Sequence, residues 1–194
     1  MSLIEDRTQL INSLQHYHST FQEEEKFKAD FLDLLKHPDA YLRTHLPGHI
    51  TCSAWIINAE ASKCLLIHHK KLNRWLQPGG HADGDEHVLH VALKEAREET
   101  GLVSLKVLSS QIFDLDIHPI PARKSMPLHH HYDIRFLFEA DEAEISQHNH
   151  EIIASAWLEL ANLSSDKSTE ASMLRMINKT KKRNPDLLQQ RRGF

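Results

Sequence analysis

One stretch of this chain, residues 79–101, constrains the fold more than any other part of the sequence. It contains four of the six glycines among the 194 residues, namely Gly79, Gly80, Gly84 and Gly101. Glycine adopts positive φ angles freely and lets the backbone approach a ligand closely. We therefore expect the unusual backbone of this protein to lie here, in a tight loop followed by a helix with a defined end.

A short helix with a crowded acidic face is predicted inside this stretch, at residues 86–100. Its apolar stripe, spaced i, i+4 and i+7, consists of Leu89, Leu93 and Ala96. A neighbouring face carries three carboxylates spaced i, i+3 and i+4, those of Glu95, Glu98 and Glu99. Like charges on one face near the C-terminal end of a helix are electrostatically unfavourable. Mg²⁺ or Mn²⁺ would relieve the repulsion, because both cations prefer oxygen ligands.

Hydrophobic patterning predicts helices at both ends of the chain and strands around the acidic helix. Residues 4–37 have helical periodicity, and residues 168–182 form a closing helix. The predicted strands lie at residues 50–57, 63–68, 74–77, 103–108, 111–117, 129–139 and 153–158. This order predicts an α/β sandwich preceded by a helical extension. We place the extension at residues 1–45 and the main domain, including the closing helix, at residues 46–194.

Composition excludes several classes of protein. Hydrophobic residues make up 40% of the chain and charged residues 26%, which is typical of a globular domain rather than a disordered one. Two cysteines are too few for a disulfide framework. The formal charge of −4 disfavours general nucleic-acid binding. Since no apolar run approaches the about 18 residues of a membrane span and no secretory signal is visible, we predict a cytoplasmic protein without nucleic-acid or membrane partners.

The glycine-rich stretch resembles the signature of the Nudix hydrolases, which fixes glycines and glutamates at set distances. The matching positions are Gly80, Glu86, Glu95, Ala96, Glu98, Glu99, Gly101 and Leu102. One position differs, because Lys94 stands where the family has arginine. The resemblance covers roughly residues 49–163 and implies a Nudix-type α/β/α sandwich with a mixed sheet.

The resemblance implies a metal-dependent hydrolase that cleaves a diphosphate linkage by attack of water on phosphorus. The implied ligands of Mg²⁺ or Mn²⁺ are the carbonyl of Gly79 and the carboxylates of Glu95, Glu98 and Glu99. The implied catalytic residues are Lys94, Glu95, Glu98 and Glu151, with the role of base left open between Glu95 and Glu151. Lys94 keeps the positive charge of arginine but loses its bidentate geometry. Glu86 is expected to hold the loop onto the helix.

Histidines near the glycine-rich loop are candidate substrate ligands. His81 directly follows Gly80 and could contact phosphate or metal. Alternation along the strand predicted at residues 129–139 places on one face His129, His131, Asp133 and Arg135. We expect substrate to be bound by Gly80, His81, His129, His131 and Arg135; exposed histidines at a strand end are the alternative. The sequence contains no CxxC or HExxH motif that would indicate a zinc site.

Two further functions remain open from the sequence. An isomerase of isopentenyl-diphosphate type shares the fold and uses a histidine-rich metal site, and the many histidines favour it. A catalytically silent binding module of the same fold is favoured only by Lys94. The leading prediction is a hydrolase of a nucleoside diphosphate-linked or related small phosphate-containing metabolite. Residues 1–45 could serve as a dimer contact or as a lid over the cleft, so a homodimer is an open prediction.

Overall fold

The structure is a computed structural model, and it describes residues 4–123, 126–144 and 149–183. Its helices are α1 (Arg7–Gln15), α2 (Gln22–Leu34), α3 (Val88–Thr100), α4 (Leu160–Ser165) and α5 (Ala171–Arg183). Its strands are β1 (Gly48–Ile57), β2 (Lys63–His69), β3 (Arg74–Leu76), β4 (Gly79–His81), β5 (Lys106–Val107), β6 (Asp114–Ile120), β7 (His129–Glu139) and β8 (Ile152–Glu159). None of the described helices is long and apolar enough to cross a membrane. The predicted limits at residues 1 and 194 lie outside the described residues.

The strands form one mixed sheet. Its order is β3-β2-β1-β7-β5, and in addition β4 pairs with β1, β6 with β7 and β8 with β2. β1 and β7 run parallel from the pair Gly48–His130 to the pair Ile57–Glu139. The other strand pairs are antiparallel. The predicted α/β class with a mixed sheet is therefore confirmed.

Alternation along the central strands builds a hydrophobic layer on each side of this sheet. Ile50 of β1 belongs to the cluster that also contains Phe31 of α2 and Ala92 of α3. Trp55 of β1 is fully buried in a second cluster, together with Met176 of α5. Successive side chains of a strand point to opposite faces, so the sheet lies between two helical layers.

The N-terminal extension consists of two helices, which corrects the single helix predicted over residues 4–37. Between them, the hydroxyl of Ser19 accepts a hydrogen bond from the N–H of Phe21 at 3.1 Å, and the N–H of Ser19 donates to Glu25 at 3.1 Å. Such side-chain bonds to the backbone compete with the helical ladder and end it. Leu10 of α1 is fully buried in the same cluster as Ile50, so the extension packs directly against the sheet.

The sequence pattern missed two short elements and misplaced the edges of two strands. β4 has only three residues, two of them glycine, so it has no hydrophobic period to detect. α4 is a six-residue helix directly after β8. The strand predicted at residues 103–108 is reduced to β5, and the strand predicted at residues 111–117 is shifted toward its C-terminal end in β6.

A buried network of charged side chains joins helices α2 and α5 to the sheet. Asp114 of β6 accepts hydrogen bonds from Arg135 of β7 at 3.1 Å and from Arg175 of α5 at 2.8 Å. Lys179 of α5 donates to Asp114 at 2.8 Å and to Glu24 of α2 at 2.5 Å. Asp114 and Glu24 are fully buried. Charges are tolerated at such depth only when they are paired, so this network ties α2 and α5 to β6 and β7.

Candidate active site

The three glutamates of α3 lie at the end of the helix, beside the backbone of β4. The helix ends at Gly101, whose φ of 71° is the left-handed conformation that glycine adopts without strain. Glu99 is buried, and its carboxylate accepts a hydrogen bond of 2.9 Å from the N–H of Gly79. Burial, together with the charges of Glu95, Glu151 and Glu98, raises the pKa of Glu99 to about 7, although the hydrogen bond from Gly79 opposes the shift.

Both glycines of β4 are required by close packing. A Cβ atom on Gly79 would lie 2.7 Å from the carbonyl oxygen of Cys52 and 2.8 Å from the Cα atom of Ser53. A Cβ atom on Gly80 would lie 2.5 Å from the Cδ atom of Glu95. The strand can therefore approach both β1 and the acidic helix only because these two residues lack side chains.

Lys94 lies between two of the glutamates. Its Nζ atom is 3.3 Å from Oε1 of Glu95 and 3.5 Å from Oε1 of Glu98. Burial raises the pKa of Glu95, and Lys94 opposes that shift. Partial burial disfavours the charge of Lys94, but the two glutamates outweigh this and raise its pKa. The lysine therefore stays positive and offsets part of the negative charge.

Glu151 directly precedes β8, outside the acidic group formed by Glu95, Glu98 and Glu99. Its carboxylate is paired with the Nζ atom of Lys71 at 2.8 Å, and this hydrogen bond lowers the pKa of Glu151. The charge of Glu151 is also one of the causes of the raised pKa of Glu99. Glu151 therefore interacts electrostatically with the acidic group, while its closest partner is a lysine.

Glu86 has a partner that the sequence does not predict. Its carboxylate accepts hydrogen bonds from the backbone N–H of Arg7 at 3.0 Å and from the guanidinium of Arg7 at 3.2 Å. The same guanidinium donates to the carbonyls of His37 and Pro38 at 2.9 and 2.7 Å. Glu86 thus links the loop before α3 to the N-terminal extension, which replaces the expected link between loop and helix.

A group of histidines lies on the neighbouring part of the sheet. His129 and His131 alternate on one face of β7, and the register places His131 opposite His49 of β1 and His118 of β6. The His81 ring of β4 completes the group, with its centroid 4.9 Å from that of His131. Burial lowers the pKa of His81 to about 4 and that of His131 to about 2.

β4 connects the acidic group to the histidine group. Its alternating side chains place Gly80 against Glu95 on one side and His81 against His49 and His131 on the other. Sequence reasoning missed His49 and His118, although each begins or continues an alternating polar series: His49-Thr51-Ser53 and Asp114-Asp116-His118. Those series align with His129 and His131 only when the register of β7 with β1 and with β6 is known.

Arg135 is linked to the histidine group through Asp116, whose Oδ2 atom also lies 3.1 Å from Nδ1 of His118. Its side chain is buried, and the guanidinium donates to Asp133 at 2.7 Å, to Asp114 at 3.1 Å and to Asp116 at 3.0 Å. Asp133 in turn accepts hydrogen bonds from Thr51 at 3.1 Å and from Ser53 at 2.7 Å. Arg135 therefore ties β7 to β6, and its contact with substrate stays a prediction.

The acidic group has the donor set that a hard divalent cation requires. Glu95 and Glu99 lie against β4, Glu98 is half-exposed on the same helix, and burial raises the pKa of both Glu95 and Glu99. A divalent cation would stabilise the ionised forms, because an opposite charge at short range favours them. Lys94 is half-exposed and supplies only one positive charge. The residues present thus fit such a cation; the carbonyl of Gly79 as a further ligand stays a prediction.

Comparison with known proteins identifies relatives of this chain. Residues 47–179 match the family model described as the NUDIX domain. A Lactococcus lactis subsp. cremoris protein described as a probable DHNTP pyrophosphohydrolase is 29% identical over 127 residues, which is 64% of this chain and 75% of that protein. The crystal structure of a C. elegans Ap4A hydrolase matches with a TM-score of 0.56 and 18% identity, over 71% of this chain and 98% of the other. The structure of the E. coli dihydroneopterin triphosphate pyrophosphohydrolase matches with a TM-score of 0.51 and 14% identity, over 69% and 92%.

Proposed function

We propose that this chain, which belongs to the Nudix hydrolase family and is a Nudix pyrophosphohydrolase, uses Mg²⁺ or Mn²⁺ to release pyrophosphate from a small triphosphate metabolite. The observation that supports the metal dependence is the position of Glu95 and Glu99 against Gly80 and Gly79, with Glu98 on the same turn of α3 as Glu99. Lys94 offsets only part of the charge of these carboxylates, and a bound cation would balance the rest. Carboxylate ligands favour hard cations over zinc or copper.

The residues around the acidic group have three proposed roles, which are to bind the cation, to balance charge and to accept a proton. Glu99 is held by the N–H of Gly79 and would fix the cation against β4. Glu98 and Glu95 would complete the carboxylate set, with Lys94 orienting both through its contacts of 3.3 and 3.5 Å. When bound, the cation neutralises diphosphate charge and activates water.

Glu95 is the better candidate for the base that accepts the proton of the attacking water. A general base works best when its pKa lies near the working pH, and burial raises the pKa of Glu95. The hydrogen bond from Lys71 lowers the pKa of Glu151 instead. Glu151 would therefore act through its negative charge, which would attract the cation.

Dihydroneopterin triphosphate is the first substrate to test, because the curated relative at 29% identity is described as a probable DHNTP pyrophosphohydrolase. Nucleoside triphosphates and nucleoside diphosphate-linked metabolites form the comparison set. The substrate is a small molecule in each case, and the cytoplasmic location and homodimer expected from the sequence remain predictions.

The test is an assay of the full chain with this panel, in Mg²⁺, in Mn²⁺ and in excess chelator, with pyrophosphate, phosphate and organic products measured separately. We expect pyrophosphate release that stops in chelator and falls by about 100-fold or more in Glu98→Gln, as when a main electrostatic group is removed from an active site. Asp33→Asn, an exposed carboxylate on α2 paired with Lys36, is the matched control. Full activity in Glu98→Gln, or isomerisation of an allylic diphosphate without release of phosphate, would overturn the proposal.

A further inference from the structure

The histidine group contains three rings whose nitrogen atoms converge. His49, His129 and His131 each offer one nitrogen, and these three atoms lie within 4.8 Å of one another. His49 is 1% exposed and His129 is 4% exposed. Their rings are 5.1–5.4 Å apart between centroids. Three imidazoles from two parallel strands are therefore packed around one small space, away from the carboxylates of α3.

Backbone carbonyls hold two of these rings in a single protonation form. The Nδ1 atom of His49 lies 3.2 Å from the carbonyl oxygen of His45, and the Nδ1 atom of His129 lies 2.9 Å from that of Pro127. A carbonyl can only accept, so Nδ1 carries the proton in both rings. The Nε2 atom of each neutral ring then has a free lone pair. Histidines that bind metals are oriented in the same way, by a hydrogen bond from the ring nitrogen that does not bind the metal.

Within the described part of the chain, two ring nitrogens of this group are buried and unpartnered. Among the described residues, the Nε2 atoms of His49 and His131 are buried and have no hydrogen-bond partner. Leaving a buried acceptor unsatisfied costs free energy, so such atoms call for an explanation. For His49, a phosphate group does not provide one, because the Nε2 atom of a ring protonated on Nδ1 has no proton to donate. A cation that accepts lone pairs does.

We propose that His49, His129 and His131 form a binding site for one transition-metal cation of the Zn²⁺ type, separate from the Mg²⁺ or Mn²⁺ site on α3. Imidazole ligands suit zinc, copper, nickel and iron, whereas Mg²⁺ requires oxygen. Three histidines leave a fourth position of a tetrahedral ion open. His81 lies beside that position, with its ring centroid 5.2 Å from that of His49, so it is the nearest further ligand from the glycine-rich strand.

The test uses Co²⁺ as an optical probe on the full chain after removal of metals with a chelator. Four-coordinate Co²⁺ bound by nitrogen absorbs visible light strongly, whereas six-coordinate Co²⁺ bound by oxygen absorbs weakly. We expect intense bands that saturate at one equivalent and are abolished by an equivalent of Zn²⁺. The same bands must appear in the double variant Glu98→Gln/Glu99→Gln, in which the carboxylate site is disabled. This arm separates the histidine site from the proposed hydrolase activity, since either can fail without the other.

Paired variants of neighbouring histidines complete the test. His129→Gln removes a ligand, and we expect its affinity for Co²⁺ to fall by at least the 10–100-fold that changes around metal ligands typically cause. His130→Gln changes the adjacent residue, which lies on the opposite face of β7, and should bind as the unmodified chain does. If circular dichroism shows that His129→Gln is unfolded, His49→Gln replaces it as the variant that lacks one ligand. Weak bands in the unmodified chain, bands lost in the glutamate variant, or equal affinity in His129→Gln would each overturn the proposal.

Discussion

The carboxylate of Glu99 accepts a hydrogen bond of 2.9 Å from the backbone N–H of Gly79. This contact joins the last turn of α3 to the first residue of β4 and brings the acidic group against a strand of the sheet. Burial raises the pKa of Glu99 to about 7, and the hydrogen bond stabilises its ionised form. The position of the carboxylate thus depends on Gly79, which is twenty positions away along the chain, while the adjacent Gly80 lies against Glu95.

Alanine substitutions at these two glycines should separate stability from activity. In Gly79→Ala the new Cβ atom meets the backbone of β1, which cannot move aside, so we expect a loss of about 1–3 kcal/mol in the free energy of unfolding. In Gly80→Ala the Cβ atom meets the carboxylate of Glu95, which can rotate. That variant should keep most of its stability and lose activity. Chemical denaturation and kcat/KM measure the two effects; equal losses of stability would contradict this account.

Lys94 should tolerate arginine better than glutamine. Arginine keeps the charge beside Glu95 and Glu98 and adds a planar fork that can contact both, so Lys94→Arg should match or exceed the activity of the unmodified chain. Lys94→Gln should lower kcat/KM on the order of tenfold, which corresponds to about 1.4 kcal/mol. Because Lys94 is half-exposed, stability should change by less than about 1 kcal/mol in both. A large loss of activity in Lys94→Arg would show that its role is misassigned.

Arg7→Ala should loosen the N-terminal extension. The guanidinium of Arg7 bonds to Glu86 and to two backbone carbonyls, and the residue is partly buried. We expect a cost of about 1 kcal/mol and faster hydrogen exchange in α1 and in the loop before α3. Lys36→Ala, which breaks an exposed ion pair with Asp33, should leave exchange in both segments unchanged. Unaltered exchange in Arg7→Ala would mean that hydrophobic packing alone holds the extension.

Asp114→Asn should change both stability and its dependence on pH. Burial alone would raise the pKa of Asp114, but the hydrogen bond from Arg175 and the charges of Arg135 and Lys179 outweigh it and lower that pKa. The buried carboxylate of Glu24 also faces Lys179. Removing one partner of a buried network costs about 3–5 kcal/mol.

The sign of the pH effect follows from the lowered pKa. Unfolded aspartate titrates at about 3.9, so the stabilisation by Asp114 is complete above that pH and is lost as the pH falls toward the lower pKa of the folded state. Asp114→Asn lacks this contribution, and its unfolding midpoint should fall less steeply between about pH 4 and pH 2. Parallel slopes for the variant and the unmodified chain, measured by urea denaturation, would contradict the assignment.

Much of the acidic site could be predicted from the sequence, because its parts are close along the chain. Spacing alone places Glu95, Glu98 and Glu99 on one face of a helix, and Gly101 marks where that helix ends. The strands of the core follow from alternation, which a buried face imposes on any sequence. β4 escaped prediction because three residues with two glycines carry no period.

The sequence by itself therefore determined the α/β class, the strands of the core and the acidic helix. Each of these depends on residues that are close together along the chain. Only the tertiary structure decided which distant side chains meet. The parallel register of β1 and β7 brings His49 opposite His131, and α2 meets α5 where Lys179 binds Glu24. The physical reason is that register and long-range ion pairing are set by packing of the whole sheet, which no local pattern contains.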